Sequence, residues 1–332
     1  MTQAAATRQA YHDRLLTLMA INPRVVCVDT DTGLFTRAET AAAGDRYIDL
    51  GIAEHTAMGV SAALAAQGWM PFVNTMATFA TTRALESVKI NIAQNDLPVR
   101  IMATHGGVAA GHLGPTHHAL EDLAVMRALP HLTVVVPADA AATASVVEQT
   151  ADLDGPVYVR LGRKPTPGLP GDLPSPRIGE IQPLRDGGEV LIVCCGPHPV
   201  LESLAAAAEL ARAGITTGVL NAHTLKPFDT QTLVARAAAA ALVVTVEEHR
   251  VCGGLGGVVA EQLSEWLPRR LLRIGLPDVL APVCGSPEHI LKLHGLEAGQ
   301  ITVRVRAALD TDLPGGAPHD QLSRLRDPDR AT

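Results

Sequence analysis

The chain has 332 residues, a length that predicts two domains at the usual ~100–200 residues per domain. Hydrophobic residues make up 47% of it, in short runs broken by glycine and proline, and no run approaches the ~18 apolar residues that a membrane span needs. The net charge of −7 argues against nucleic acid and against a polybasic membrane anchor, which leaves a small molecule or a protein as the partner.

The opening segment MTQAAATRQAYHDRLLTLMA alternates polar and apolar residues at helical spacing. It lacks the apolar core and the small-residue cleavage site of a secretory signal, so we expect the cytoplasm as the compartment. The five cysteines include no CxxC pair, and Cys27, Cys194 and Cys195 lie in strand-like apolar runs. This usage is typical of buried, reduced thiols.

Residues 1–163 alternate strand-like apolar runs with segments whose apolar residues recur every three or four positions. This alternation predicts a doubly wound α/β domain with a parallel sheet. The helical segments AEHTAMGVSAALAAQ and TTRALESVKINIAQ should each lay one apolar face on that sheet. The predicted strands are 24–29, 46–50, 70–74, 98–104, 132–136 and 156–161.

Residues 164–188 hold six prolines in a polar setting, which disfavours both helix and strand and predicts an interdomain linker. From residue 189 the alternation resumes, with VLIVCC, GITTGVL, ALVVTVEE and LLRIG as strand-like runs. We therefore predict a second, smaller doubly wound α/β domain over 189–312. The polar, Pro- and Gly-rich stretch 313–332 predicts a mobile tail.

Open parallel sheets bind ligands beyond the carboxyl ends of their strands, so the loops that leave the strands are candidate sites. The first such loop is DLGIAEH, residues 49–55, which places Glu54 after a strand and in the first turn of a helix. A carboxylate there is also explained by the helix dipole, an interaction worth ~0.3–1 kcal/mol. Glu54 taken alone therefore does not define a site.

The second loop is THGGVAAGHLGPTHH, residues 104–118, with five glycines and prolines and four histidines. A purely structural loop seldom concentrates so many groups that titrate near neutrality, which favours a binding role. A zinc site is the alternative, formed by His112, His117, His118 and Glu121. The glycine-rich stretch has neither HxxxH helical spacing nor a CxxC pair, so we predict no metal site in this chain.

The third candidate is VRLGRK, which places Arg160 and Arg163 at the end of the last strand of the first domain. A guanidinium at the carboxyl end of a strand can hold a phosphate bidentately, although surface arginines are common. The glycine-rich CGGLGG at 252–257 lacks the GxGxxG spacing. It indicates tight packing at a helix start rather than a nucleotide site.

In order and spacing, DLGIAEH, FATTRALESVK, the 104–118 loop, VVVPAD and DGPVYVRLGR resemble the pyrimidine-binding domain of transketolase. VLIVCCGP, LKPFD and VVTVEEH followed by CGGLGG are similar to the transketolase C-terminal domain. The resemblance covers most of residues 1–312. It implies a transferase that moves a two-carbon ketol unit from a ketose donor to an aldehyde acceptor with thiamine diphosphate as cofactor.

Transketolases bind the diphosphate and its Mg²⁺ through Gly-Asp-Gly with a downstream Asn, and this sequence has only GDR and GDL. The resemblance therefore implies the C-terminal subunit of a split enzyme. An N-terminal transketolase subunit is expected to supply the diphosphate and Mg²⁺ ligands, in a two-plus-two heterotetramer. The chain alone is expected to be inactive.

The resemblance also implies roles for residues around the cofactor. Glu54 matches the glutamate that hydrogen-bonds the aminopyrimidine, whose amino group then acts as the base that activates the cofactor. Phe79 matches the aromatic residue that stacks on the pyrimidine, although a lone Phe is also explained by core packing. Asp31, in VDTD, matches an aspartate near the cofactor.

On the substrate side, His105 and His117 match histidines of the substrate channel, and Arg163 matches the arginine that holds the sugar phosphate. The loop departs from the family pattern GEDGPTH at Leu113, which replaces an aspartate that reads a hydroxyl beside the reacting carbon. His112 likewise replaces a carboxylate. Because leucine cannot accept a hydrogen bond, we expect a non-standard acceptor.

Two alternatives stay open. One is a 2-oxo-acid dehydrogenase β subunit or a decarboxylating synthase with the same cofactor, against which the histidine-rich loop favours transketolase. The other is a noncatalytic regulatory subunit that kept the fold. The presence of Glu54, His105 and His117 argues against it.

Overall fold

The computed structural model describes residues 4–170, 173–279 and 284–310, and the tail predicted over 313–332 lies outside them. The helices are α1 (Thr7–Ile21), α2 (Arg37–Ala43), α3 (Glu54–Ala66), α4 (Ala77–Thr81), α5 (Leu85–Ser87), α6 (Asp122–Ala128), α7 (Ala140–Thr150), α8 (Pro197–Arg212), α9 (Thr230–Ala237), α10 (Leu255–Trp266), α11 (Pro287–Leu293) and α12 (Ala298–Asp310). The strands are β1 (Val25–Asp29), β2 (Tyr47–Asp49), β3 (Met70–Met76), β4 (Arg100–Thr104), β5 (Thr133–Val135), β6 (Val157–Arg160), β7 (Gln182–Arg185), β8 (Val190–Cys195), β9 (Thr217–Asn221), β10 (Thr224–Lys226), β11 (Leu242–Arg250) and β12 (Leu271–Leu276). Short 3-10 helices cover Gly44–Arg46 and Gly111–Leu113, and a π-helical turn covers Val88–Ala93.

Seven strands form the first sheet, in the order β10-β5-β6-β4-β3-β1-β2. All neighbours run parallel except β10 and β5. The six strands predicted in residues 1–163 are confirmed as β1 to β6, within one or two residues of the expected ends. Strands β1, β4 and β6 are buried along their whole length, as parallel strands are when helices cover both faces of the sheet.

The second sheet has five strands in the order β12-β11-β8-β9-β7. The strand-like runs VLIVCC, GITTGVL, ALVVTVEE and LLRIG are confirmed as β8, β9, β11 and β12. These four strands pair with one another in parallel, and β7 is antiparallel to β9. The prediction of two α/β domains built on largely parallel sheets is therefore confirmed. Within the described residues, no helix is both long enough and apolar enough to cross a bilayer.

Two strands lie where the sequence pattern predicts none. Strand β7 falls inside the proline-rich range 164–188, whose prolines were expected to disfavour strands. Pro183 is tolerated there because β7 is an edge strand. Strand β10 comes from the range 189–312 but pairs with β5 of the first sheet, with Thr224 opposite Val135. The second half of the chain thus completes the edge of the first sheet. A single apolar cluster runs through both halves.

Candidate functional site

Glu54 opens α3, just beyond the end of β2, and is only 2% exposed. A buried carboxylate needs a partner because leaving water is costly for a charge. The partner is Arg83, whose Nη1 donates to both carboxylate oxygens at 2.9 and 2.8 Å. Ala53, the residue before the helix, supplies no side-chain cap. The carboxylate is therefore held at the helix start by an arginine of the turn between α4 and α5.

Phe79 lies in α4, immediately after β3, and is half-buried. The guanidinium carbon of Arg83 is 4.3 Å from the ring centroid, and the His117 ring stands edge-on to it at 5.3 Å. These contacts link Glu54, Arg83, Phe79 and His117 in one continuous cluster. The described ring contacts of Phe79 are therefore with Arg83 and His117.

His105 follows β4 directly and adopts a left-handed backbone with φ of 61°, which is strained for a residue other than glycine. Burial, together with the positive charges of Arg163 and Arg8, lowers the pKa of His105 to about 4. Its imidazole is therefore neutral near pH 7. The ring Nδ1 is buried and has no hydrogen-bond partner among the described residues, so a ligand that reaches it gains an unused polar contact.

Arg163 is exposed in the loop that leaves β6, and Arg8 of α1 lies near it. Burial and the charge of Arg163 lower the pKa of the Arg8 guanidinium. Two guanidiniums that repel each other beside a neutral histidine form a place where an anion is favoured. The sequence analysis missed Arg8 because it lies in the first helix, far from any strand end, and no local pattern distinguishes it.

Arg160 cannot hold a phosphate, so that part of the prediction was wrong. It ends β6 with its side chain 6% exposed, and its Nε lies 2.9 Å from Asp122. Its two terminal nitrogens donate to the carbonyls of Glu248, at 2.8 Å, and Ala119, at 2.5 Å. Strand geometry turns this side chain inward, where its charge is paired with Asp122 and its bond to the Glu248 carbonyl joins the first domain to β11.

No described contact joins Asp31 or Leu113 to the cluster of Glu54, Arg83, Phe79 and His117. Asp31 has a left-handed φ of 59° and is exposed, and its backbone N–H donates to the Asp49 carboxylate at 3.1 Å. The buried aspartate at this strand end is Asp29, which accepts from Thr32 and has a pKa raised by burial. Leu113 ends the short helix Gly111–Leu113 and is 51% exposed.

Within the parts of the chain that the structure describes, no group of three or more His, Cys, Asp or Glu side chains is arranged to hold a metal ion. His112 is exposed, whereas His118 is buried and has a pKa lowered by that burial. Glu121 lies 3.9 Å from Arg250. Among the described residues, His112, His117, His118 and Glu121 are therefore not gathered around one point.

The glycine-rich segment at 252–257 packs tightly at the start of α10, and the side chain that it packs against is Glu247. The buried Glu247 carboxylate accepts from the backbone N–H groups of Leu255 and Gly256, at 2.6 and 2.8 Å. A Cβ on Gly254 would meet the same carboxylate at 2.1 Å. The chain's own carboxylate thus occupies the N-terminus of α10, where a nucleotide phosphate would bind.

Both domains match known families. Residues 3–167 match the transketolase pyrimidine-binding domain, and residues 179–301 match the transketolase C-terminal domain. The chain belongs to the transketolase family.

Among its relatives are proteins named as transketolase subunits. The chain is 37% identical to the 6-deoxy-6-sulfo-D-fructose transketolase subunit SqwH of a Clostridium species, over 91% of this chain and 92% of the relative. It is 37% identical to an apulose-4-phosphate transketolase subunit of Phocaeicola vulgatus, over 88% and 94% respectively. A solved split-gene transketolase, an inactive β4 tetramer, superposes with a TM-score of 0.82 at 39% identity, over 92% of this chain and 99% of that one.

Proposed function

We propose that this chain is the C-terminal subunit of a split transketolase and transfers a two-carbon ketol unit from a ketose to an aldehyde when an N-terminal subunit joins it. The observation that carries the proposal is the buried Glu54 carboxylate, which Arg83 links to the ring of the half-buried Phe79. The two relatives named as transketolase subunits, which this chain covers almost entirely, support the need for a partner.

The residues present fit thiamine diphosphate. A planar aminopyrimidine needs a carboxyl group at its edge and an aromatic ring at its face, and Glu54 and Phe79 supply these. When bound, the cofactor supplies a thiazolium carbon that attacks the carbonyl of the donor. Glu54 holds a proton at the pyrimidine ring nitrogen, and Phe79 orients the ring. Asp31 is the residue we assign to the outer rim of this site.

The N-terminal subunit supplies the ligands of the diphosphate and of Mg²⁺. The site is then completed at the contact between unlike subunits, and two copies of each give a heterotetramer. A closed assembly of this kind follows the usual symmetry of soluble oligomers.

The substrate lies between His117 and the two arginines. His105, whose imidazole is neutral, and His117 exchange hydrogen bonds with the oxygens of the donor, and the unpartnered Nδ1 of His105 supports this role. Arg8 and Arg163 hold the anionic end of the sugar, because two neighbouring guanidiniums favour a phosphate or a similar anion. Leu113 faces the acceptor in the assembled enzyme and favours an apolar group beside its aldehyde.

The first test of this proposal is Glu54→Gln in the reconstituted complex. Proton exchange at the thiazolium carbon, followed by NMR in deuterium oxide, should slow by ~10²–10⁴-fold, since general acid–base steps are worth that much. Glu86→Gln, at an exposed position in α5, is the matched control and should exchange at the wild-type rate. Unchanged exchange in Glu54→Gln would leave the helix dipole as the explanation of this residue.

Donor assays separate the proposed function from its alternatives. A transketolase releases no carbon dioxide from a ketose phosphate donor, whereas a decarboxylating synthase or a 2-oxo-acid dehydrogenase releases it from a 2-oxo acid. The isolated chain should show no ketol transfer, and the complex should show it. Ketol transfer by the isolated chain refutes the partner requirement, and activity of the partner without this chain indicates a regulatory subunit.

A further inference from the structure

The Arg83 guanidinium contacts both side chains that the proposed function assigns to the pyrimidine, Glu54 and Phe79. Arg83 Nη1 lies within 2.9 Å of both Glu54 oxygens, and the guanidinium carbon sits 4.3 Å from the Phe79 centroid. The Glu54 side chain is 3% exposed, whereas that of Arg83 is 47% exposed. A half-exposed cation thus covers a buried anion.

A guanidinium and an aminopyrimidine offer similar surfaces. Each is flat and delocalised, presents nitrogen atoms along one edge, and can stack its face on an aromatic ring. A carboxylate in an ion pair with arginine only accepts hydrogen bonds, whereas the proposed function requires Glu54 to hold a proton at a ring nitrogen. The two arrangements therefore exclude each other at the same carboxyl group.

We propose that Arg83 is an internal occupant of the pyrimidine site: it takes the place of the aminopyrimidine in the free chain and must leave Glu54 before the cofactor binds. The proposal rests on the proposed function. Arg83 lies in the turn between α4 and α5, and its side chain makes no other hydrogen bond among the described residues, so it can rotate into solvent without breaking further hydrogen bonds.

The effect of Arg83 on pyrimidine binding depends on how strongly its guanidinium is held against Glu54 and Phe79. For a half-exposed arginine, the ion pair favours the arrangement in which Arg83 covers Glu54 by about 1.4- to 5.5-fold and the cation–π contact by about 2.3- to 5.5-fold. Together they favour it by about 3- to 30-fold. A ligand binds only the fraction of molecules in which Arg83 has left Glu54. Its apparent Kd in the wild-type chain is therefore raised by the same factor. Removing the guanidinium should therefore tighten pyrimidine binding by about 3- to 30-fold.

The experiment titrates thiamine into the full isolated chain and follows binding by ligand-observed NMR. Thiamine is used because its pyrimidine tests this site without the diphosphate. The variants are Arg83→Ala and Arg83→Gln, the second of which keeps much of the length of the side chain but removes its charge. The matched control is Arg14→Ala, which breaks an ion pair with Glu148, at 2.6 Å, elsewhere in the same domain. Methylguanidinium is then added to each complex.

The proposal expects tighter thiamine binding in both Arg83 variants, wild-type affinity in Arg14→Ala, and displacement of thiamine by methylguanidinium from Arg83→Ala. Weaker or unchanged binding in both Arg83 variants overturns it. If methylguanidinium does not displace thiamine from Arg83→Ala, a guanidinium and an aminopyrimidine do not share this site, and the proposal is overturned. If Glu54→Gln abolishes thiamine binding while the Arg83 variants do not tighten it, the pyrimidine site stands and only the role of Arg83 falls. If no variant binds thiamine, the proposed function falls as well.

Discussion

Arg160 offers a test of how the two domains are held together. The ion pair with Asp122 is buried on both sides, with side chains 6% and 0% exposed, and Tyr158 donates to the same Asp122 oxygen at 2.7 Å. We expect Arg160→Met, which keeps most of the volume, to destabilise the chain by ~3–5 kcal/mol. The reason is that a buried carboxylate loses its counter-charge and two buried carbonyls lose their donor.

The control is an exposed ion pair of similar geometry. Arg236 pairs with Asp186 at 2.7 Å, but the two side chains are 45% and 88% exposed. Arg236→Ala should cost ~0.2–1 kcal/mol, because water screens the pair and compensates its loss. The double variant Arg160→Met with Asp122→Leu should be more stable than Arg160→Met alone, because no buried charge is then left unpaired.

Urea unfolding followed by circular dichroism measures these effects. With a slope of ~3 kcal/mol per molar urea, the Arg160→Met midpoint should fall by ~1–2 M. A midpoint shift no larger than that of Arg236→Ala would refute the reasoning. So would a double variant that is less stable than the single one.

Three further outcomes are expected. The first uses a pair of acceptors that differ only in the hydroxyl beside the aldehyde. The wild-type complex should prefer the acceptor without the hydroxyl by up to ~10–200-fold in kcat/KM, and Leu113→Asp should reverse this preference. An unchanged ratio would mean that Leu113 does not face the acceptor. Because the pKa of His105 is lowered to about 4 from an ordinary 6.5, its contribution to stability is complete above pH 6.5 and is lost as the pH falls toward 4. The Tm of His105→Gln should accordingly fall less than that of the wild type between pH 7 and pH 5, and parallel curves would contradict this. Gly107 and Gly33 share a φ of +62°, but a Cβ on Gly107 would meet Glu248 Oε1 at 2.1 Å whereas none of the described atoms lies within 4 Å of a Cβ on Gly33. Thermal unfolding should therefore show a larger loss for Gly107→Ala than the ~1–2 kcal/mol of backbone strain expected for Gly33→Ala, and equal losses would mean that Glu248 moves aside freely.

The local pattern of apolar residues was sufficient to predict the strands that are buried on both faces. Runs such as VVCVD and VLIVCC are apolar throughout because helices cover the sheet on both sides, and this makes them visible without a partner strand. Strands β7 and β10 were missed because they are short, hold Pro or Lys, and pair at the edges of the sheets. Their strand conformation is imposed by β9 and β5 rather than by their own residues.

The cluster around Glu54 was predicted in part. The motifs singled out Glu54, Phe79 and His117; in the structure Phe79 contacts His117, and Arg83 links Phe79 to Glu54. Arg83 was overlooked: it lies in the turn between α4 and α5, whereas the pattern predicted a continuous helix that begins after Phe79. Its pairing with Glu54, 29 positions earlier in the chain, has no signal in either segment.

The sequence by itself determined the family and the order of the domains, because those depend on apolar periodicity and on motifs that are local along the chain. Only the tertiary structure decided what each arginine does. Arg160 and Arg163 are three residues apart, yet the sheet turns the first into the interior and leaves the second in solvent. Arg8 becomes a neighbour of Arg163 because α1 packs beside the end of β6, with Thr7 hydrogen-bonded to Gly162. The sequence shows which side chains carry a charge. Whether such a charge lies beside a carboxylate, another cation or water depends on the residues that folding brings close to it.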